Sequence, residues 1–506
     1  MVYAMKKGKV WLVGAGPAET DLLTIKAKKI IEQADVVVYD RLVGQGIIML
    51  IPDEAKSIDA GKRAGNHTMP QEQINHILLQ EALLGKNVVR LKGGDPFLFG
   101  RGGEELELLS RNEIPYEIIP GVTSAISVPA YNGIPVTHRD YCSSVHIITG
   151  HREKDKSYDI DFEALVKTKG TLVFLMGSSA LGDICEGLLK AGMEKDMPAA
   201  ILQKGTTSKQ KRIVATISNL EKEVKNHGVA TPAIIVVGKV CQLAEEFSWY
   251  EKLPLSGKKI VVTRPMESVS TLSEKLKNKG AEVLEIPTIR IVPIKENKAL
   301  KHAFEQLTQY QWLVFTSPLG VDVFFNAMWE ENVDIRRLAD IKVAVIGEGT
   351  KKKVEDRGIL VDLLPECYDG KSLGEAIRKN CNDGDRILIP RARIGNNEMI
   401  EEISKNPNIN ISDIPTYDTV YREPKIINLK NEFELGEIDF VVFTSKSTVK
   451  GFVEATNGLD YSLVSAVCIG EQTQTEAKKY KIKTMTAKKA TIDSLVEAVE
   501  ALVNLK

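Results

Sequence analysis

Residues 88–105 read VVRLKGGDPFLFGRGGEE, an apolar β-type run that stops at Gly93-Gly94-Asp95. Two adjacent glycines let the main chain approach a bound small molecule, while Asp95 and Pro96 cap and open the segment that follows. Gly93 to Pro96 therefore reads as a ligand loop at the end of a buried strand. In open α/β sheets, ligands bind beyond the carboxyl ends of strands. The same kind of ending recurs outward from this stretch: Gly14-Ala15-Gly16-Pro17 after VWLV, Asp40 after VVVY, Met176-Gly177 after LVFL, Gly205-Thr206 after AAILQK, and Thr231 at the start of TPAIIVVG. Each glycine turn alone is ordinary. Their accumulation along one half of the chain points to a single ligand-binding edge.

The totals bound what surrounds that edge. A chain of 506 residues is too long for one core and predicts at least two folding units. With 43% hydrophobic and 27% charged residues and a formal charge of −1, it has a soluble globular balance. Nothing in that balance points to nucleic acid or a membrane surface. No apolar run approaches the ~18 residues of a membrane span, so the expected location is the cytoplasm. The six cysteines (Cys142, Cys185, Cys241, Cys367, Cys381, Cys468) show no zinc or redox spacing and read as reduced thiols. The seven histidines form no metal motif, and no metal is expected.

Strand-like runs alternate with helical periodicity from end to end, which predicts α/β layers with largely parallel sheets. In the first unit Leu23, Ala27, Ile30, Ile31 and Ala34 recur at helical spacing between VWLVGAGP and ADVVVYD. Periodicity lapses over AEEFSWYEKLPLSGKK (244–259), which reads as a connector without chemistry before the fresh strand KIVVTRP. The second half contains a duplication. LVFTSPLGVDVFF (313–325) resembles VVFTSKSTVKGFV (441–453), VAVIGEGTKKKVEDRGI (343–359) resembles SAVCIGEQTQTEAKKYKI (465–482), and KIVVTRP pairs more loosely with RILIPRA (386–392). Because one TRP strand precedes everything and its FTS and IGE partners come last, one lobe should be assembled from both ends of this half. The expected division is 1–250 and 256–506, the latter split into lobe one (256–288 plus 420–506) and lobe two (289–419). The extended segments IPTIRIVP and IPTYDTVYREP should join the lobes as a two-stranded hinge beside a cleft.

A dinucleotide fingerprint is disfavoured, since Glu19 stands where the third glycine of G-x-G-x-x-G belongs and Pro17 lacks an amide hydrogen. Instead GAGPAETDLLT, ADVVVYDRLV, GKRAGNHTMPQEQIN, VVRLKGGDPFLFGRGGEE, PGVTSAISVPAYNGIPVTHR, FLMG and KGTTSKQ, in this order over residues 7–243, resemble the tetrapyrrole methylases. Within them the match is to uroporphyrinogen-III C-methyltransferases. That resemblance implies S-adenosyl-L-methionine held between two α/β lobes by Pro17, Gly93, Gly94, Asp95, Leu98, Thr123, Ser124, Met176, Gly205 and Ala233. It assigns Asp40 as proton acceptor and Lys62 as proton donor. By residue type alone the plainer reading of Asp40 is a turn cap, and of Lys62 and Arg63 solvated loop charges. Arg41, Arg63 and Arg101 suit substrate carboxylates, which guanidinium groups pair in bidentate fashion; His67 reads as a loop hydrogen-bonder. The departure from the family is Ala18-Glu19-Thr20, where a glycine-acid-proline run is commoner.

In the second half GKKIVVTRP, FTSPLGV, VIGEGT, LIPRARIGNN, PTYDTVY, FTSKSTVKGF and CIGEQTQTEA resemble uroporphyrinogen-III synthase over residues 256–506, more loosely. The Pro318-Leu319 pair departs from the family. The resemblance implies that a linear hydroxymethyl tetrapyrrole loses water and closes with one ring inverted, so the protein mainly holds the chain in a productive fold. Tyr417 is the candidate for assisting the leaving hydroxyl, or else a half-buried hinge aromatic. Thr263, Arg264, Ser317, Thr350, Ser445 and Thr473 are candidate substrate contacts. The serine of FTSP also reads simply as a helix N-cap followed by proline at the first helical position.

Together the resemblances imply an α/β protein in which a two-lobed tetrapyrrole methylase fold precedes a two-lobed, internally duplicated synthase fold of doubly wound parallel sheets. The implied function is bifunctional: hydroxymethylbilane is cyclised to uroporphyrinogen III and methylated twice to precorrin-2, towards sirohaem or cobalamin. The rivals are a methylase with a non-catalytic tetrapyrrole-binding module, and methylation of a later corrin intermediate. Expected partners are small tetrapyrroles, with neither nucleic acid nor membrane, and a homodimer through the methylase half is compatible with this reading.

Overall fold

The computed structural model describes residues 6–505 apart from 62–68, 151–159, 264–270, 423 and 425. Its described residues carry four five-stranded sheets, two in each half. The first comprises β1 (Lys9–Gly14), β2 (Val36–Tyr39), β3 (Lys56–Asp59), β4 (Asn87–Lys92) and β5 (Tyr116–Ile119), in the order β3-β2-β4-β1-β5 and parallel throughout. Strand β2 is buried along its whole length, and so are all but the first residue of β4. Helices cover both faces of such a sheet, so its strands read as continuous apolar runs rather than alternating ones.

The second sheet comprises β6 (Val145–Thr149), β7 (Thr171–Leu175), β8 (Pro198–Gln203), β9 (Lys211–Thr216) and β10 (Ala233–Val237), ordered β6-β7-β10-β8-β9. Here the expectation of parallel pairing fails locally. Only β6 and β7 run parallel, whereas β10 is antiparallel to both neighbours and β8 to β9. The short loop Lys204–Gln210 can join only antiparallel neighbours, because a parallel crossover needs a dozen or more residues.

The second half contains β11 (Lys259–Val262), β12 (Glu282–Glu285), β13 (Ile289–Pro293), β14 (Trp312–Phe315), β15 (Lys342–Val345), β16 (Arg386–Ala392), β17 (Asn410–Tyr421), β18 (Phe440–Phe443), β19 (Ser465–Cys468) and β20 (Lys483–Thr486). They form a parallel sheet β12-β11-β18-β19-β20 and a mixed one, β13-β17-β16-β14-β15. The first unites strands from both ends of this half. The duplication shows in strand order: β12-β11-β18-β19 corresponds to β17-β16-β14-β15, and an isolated bridge from Ala344 to Leu363 stands where β20 does in its twin. Only β13 lacks a counterpart. It pairs antiparallel with the far end of β17, from Ile289 opposite Tyr421 to Pro293 opposite Tyr417, so the two crossing segments form one ladder between the lobes.

The stretch 244–259 is not a bare connector. Tyr250 is 5% exposed and Leu255 is fully buried. Trp249 donates its indole hydrogen to the Ala130 carbonyl (3.0 Å) and Tyr250 donates to the Gly280 carbonyl (3.3 Å). Tyr131, Trp249 and Tyr250 pack with ring centroids 5.0–5.6 Å apart. The lapse in periodicity marks irregular backbone, while Tyr250 and Leu255 inside it are buried core. No described helix is long and apolar enough to cross a membrane.

Candidate functional site

The ends of β1 and β4 are laced together. The Gly16 amide donates to the Gly94 carbonyl (3.1 Å), the Gly94 amide donates to the Gly16 carbonyl (2.7 Å), and Ala15 donates to Lys92 (2.7 Å). Such an approach tolerates no side chain: a Cβ on Gly14 would lie 2.5 Å from the Gly121 Cα, and one on Gly121 2.2 Å from the Gly94 carbonyl. Asp95 fixes the loop. One carboxylate oxygen accepts the Phe97 and Leu98 amides (2.8 and 3.2 Å) and the other accepts Gly121 (3.0 Å). Its carboxylate thus holds the loop through main-chain amides.

Opposite this edge stands the loop after β8. Thr206 donates its hydroxyl to the Pro17 carbonyl (2.9 Å), joining the two sheets, and Lys204 donates to the Pro232 carbonyl (2.9 Å). A Cβ on Gly205 would meet Val128 at 2.4 Å, so packing requires the glycine. Between the edges lies a cavity of about 490 Å³, within the range of small-molecule sites. Of the residues expected to hold the cofactor, Pro17, Gly93, Gly94, Asp95, Leu98, Thr123, Ser124 and Gly205 line it. Met176 instead lines a neighbouring depression with Phe97, Phe99 and Arg101, and Ala233 lies between the lining residues Pro232 and Ile234. Arg41 is also on the cavity wall. The mixture of main-chain groups with Val128, Leu202 and Ile234 suits a molecule that is part polar nucleoside and part thioether chain. Lys62, Arg63 and His67 lie outside the described residues.

Asp40, immediately before Arg41, belongs to a charged network that the sequence reading missed. Arg90 donates to Asp40 (2.6 Å) and to Glu105 (2.9 Å), and Lys92 donates to the same Glu105 oxygen (2.8 Å). Arg90, Lys92 and Glu105 are at most 4% exposed. Burial opposes the Arg90 charge, yet the carboxylates of Asp40 and Glu105 outweigh it and hold the guanidinium above its ordinary pKa. Burial, followed by the Arg90 charge, pushes the Lys92 ammonium down. Burial would raise Glu105, but the two cations bring it below its usual value. The signal was present in VVRLK: two cations inside a buried strand require a buried counter-charge.

In the second half the expected contacts are distributed differently. Thr263 is fully buried and donates to the Val442 carbonyl (3.2 Å), and Thr350 and Thr473 are 2% and 4% exposed. Ser445 caps the helix Lys446–Ala455 in a reciprocal capping box with Thr448. Ser317 caps the helix Pro318–Glu330, accepting the Gly320 amide (2.9 Å), and its hydroxyl also meets the Tyr417 hydroxyl at 3.0 Å. Tyr417 is 5% exposed, and burial raises its pKa, with Ser317 offsetting part of the rise. Thr416, Ile291 and Val323 beside it border a cavity of about 370 Å³ along β13 and the helix Pro318–Glu330. Arg264 lies outside the described residues.

The family model described as Tetrapyrrole (Corrin/Porphyrin) Methylases matches residues 9–221, and that of Uroporphyrinogen-III synthase HemD matches 270–497. A "Porphyrin biosynthesis protein HemD" of Ruminiclostridium josui is 47% identical over 493 residues, covering 97% of this chain and 98% of that one. The "S-adenosyl-L-methionine-dependent uroporphyrinogen III methyltransferase" of Methanosarcina barkeri is 50% identical over 237 residues, 47% of this chain and 93% of its own. A solved uroporphyrin-III C-methyl transferase of Thermus thermophilus, complexed with S-adenyl homocysteine, is 36% identical. It covers 47% of this chain and 100% of its own, at a TM-score of 0.41.

Proposed function

Because the chain belongs to the tetrapyrrole methylases over its first half and to the HemD uroporphyrinogen-III synthases over its second, we propose that it closes hydroxymethylbilane to uroporphyrinogen III and methylates that product twice to precorrin-2. The chain is a bifunctional enzyme of tetrapyrrole synthesis whose cofactor is S-adenosyl-L-methionine. The observation that carries the finer reading is the cavity in which the glycine loops of β1, β4 and β8 converge, with Arg41 on its wall and Asp40 next to Arg41 in the chain.

Bound in that cavity, the cofactor supplies a methyl group already activated on a sulfonium. The residues need only align an electron-rich pyrrole carbon and take up one proton. Asp40 accepts that proton, held in place by Arg90 at 2.6 Å. Arg41 and Arg101 receive substrate carboxylates from the exposed rim; Lys62 as proton donor and Arg63 as a further carboxylate binder belong to the same reading. In the second half Tyr417, with Ser317 as its hydrogen-bond partner, donates to the hydroxyl that leaves as water. Tyrosine is a neutral donor through the physiological range, and burial moves Tyr417 further in that direction.

The test is a coupled assay of the purified chain with hydroxymethylbilane, with and without S-adenosylmethionine. Uroporphyrinogen III should form without the cofactor and precorrin-2 only with it. Formation of isomer I alone would make the second half a binding module, and absence of methylated product from supplied uroporphyrinogen III would remove it as the first half's methyl acceptor.

A further inference from the structure

The cavity of the first half is not bounded by the first half alone. Lys259, Glu282, Val283 and Leu284 of the following half complete its wall. Three separate loops on the cavity each carry one anchor from that half. Lys277 donates to the Thr20 hydroxyl (2.6 Å) and to Asp21 (2.7 Å), holding the loop that follows Pro17. Lys259 donates to the Gln45 side chain, holding the start of the short helix Gln45–Ile48, and lies 3.5 Å from both Glu282 and Glu432. Glu282 accepts the amide and the hydroxyl of Ser208, each at 2.8 Å, holding the loop after β8. Lys259 is 6% exposed and Ser208 9%, so the contacts of these two are covered between the halves, whereas the pair of Lys277 with Asp21 lies towards solvent.

Resting on the reading of this cavity as the cofactor's, we propose that it is a composite site. The sheet containing β11 and β12 is its fixed wall, and Glu282 and Lys277 are positioning residues for cofactor binding. Each loop that must be ordered on binding costs conformational entropy, and an anchor in place beforehand removes that cost from the binding step. By linkage, whatever tightens the cofactor when the wall is docked must tighten the wall when the cofactor is bound. The cofactor therefore stiffens strands of the half that does not use it.

The probe is S-adenosylhomocysteine titrated calorimetrically into the full chain and into Glu282→Ala and Glu282→Gln. Removing the two Ser208 bonds should weaken binding on the order of tenfold. The glutamine still accepts from Ser208 and should recover most of the loss, which a merely destabilised lobe would not permit. Hydrogen exchange at 282–285 should slow when the probe is added to the unaltered chain, and this slowing should vanish in Glu282→Ala. Should Glu282→Ala fail to fold by near-ultraviolet circular dichroism, Lys277→Ala, which releases a different loop, gives the same comparison. Equal affinity in folded variants, or exchange in the second half indifferent to the probe, overturns the composite site while leaving the cofactor reading intact. Failure of the unaltered chain to bind the probe overturns both.

Discussion

The two halves use the same local grammar, a buried strand followed by a loop and a helix, and spend it differently. In the first half the strand ends present glycines whose main chains lace together and leave a cavity between two sheets. In the second half the positions after β11, β14 and β18 carry serines and threonines turned inward to cap helices or to bond carbonyls, as Ser445 and Thr263 do. A missing side chain leaves space for a ligand, whereas a hydroxyl is first claimed by the orphan amides of the helix it precedes. Among the strand-end serines, Ser317 stands apart because its hydroxyl also serves Tyr417.

The largest test of that contrast concerns the buried charges of the first half. Glu105→Gln leaves Arg90 and Lys92 short of a counter-charge and should destabilise that half by about 3–5 kcal/mol, read from its denaturant midpoint. The pH dependence follows from the same residue. Its folded pKa is depressed, so the stabilisation is complete above the unfolded value near ~4.3 and is lost as the pH falls through the depressed one. Acid unfolding of the first half should accordingly flatten in Glu105→Gln.

Asp40→Asn should cost about a hundredfold to a thousandfold in single-turnover methyl transfer while calorimetric affinity for S-adenosylhomocysteine stays the same. An unimpaired rate would leave Asp40 as a partner of Arg90 only. Tyr417→Phe should slow ring closure roughly tenfold and raise the share of uroporphyrinogen I, as expected for one lost hydrogen bond to a leaving group. The finest comparison sets Ser317→Ala against Ser445→Ala. Each loses a cap worth about 1 kcal/mol, but the Ser317 variant should raise the share of isomer I more. Equal isomer ratios would reduce Ser317 to a cap like its twin.

What the sequence disclosed follows the same line. The glycine loops were legible because close backbone approach, as at Gly14, or a left-handed φ, as at Gly94, demands a particular residue type at a particular place. The duplication was legible because FTS and IGE recur whole, and the lobes follow from their order. The direction of a hydroxyl was not legible. Nothing in KIVVTRP tells that Thr263 points at Val442 and not into a cleft. Contacts across long separations were hidden too: Lys259 at the head of a strand looks solvated until Gln45, Glu282 and Glu432 surround it. The partners of Arg90 show the intermediate case, where the need for a counter-charge was visible in the strand but its location in Glu105 was not.

The insertion of lobe two between β12 and β18 also sets a timetable. Lys259 and its partner Asp439 are 180 residues apart, and β11 pairs with β18 in the middle of its sheet. On a ribosome adding about 5–20 residues per second, β11 and β12 emerge roughly ten to forty seconds before the strand that completes their sheet. The lobe begun first is finished last, and lobe two, whose strands end at Tyr421, is fully synthesised in the interval. During that wait the nascent β11–β12 pair exposes an unsatisfied edge, the kind of surface that invites aggregation. The methylase half is already complete by then, and Ser208, Gln45 and Thr20 offer the waiting strands a docking place. The order of the two halves along the chain thus puts the partners of β11 and β12 in the first half on the chain before the partner strand in their own sheet.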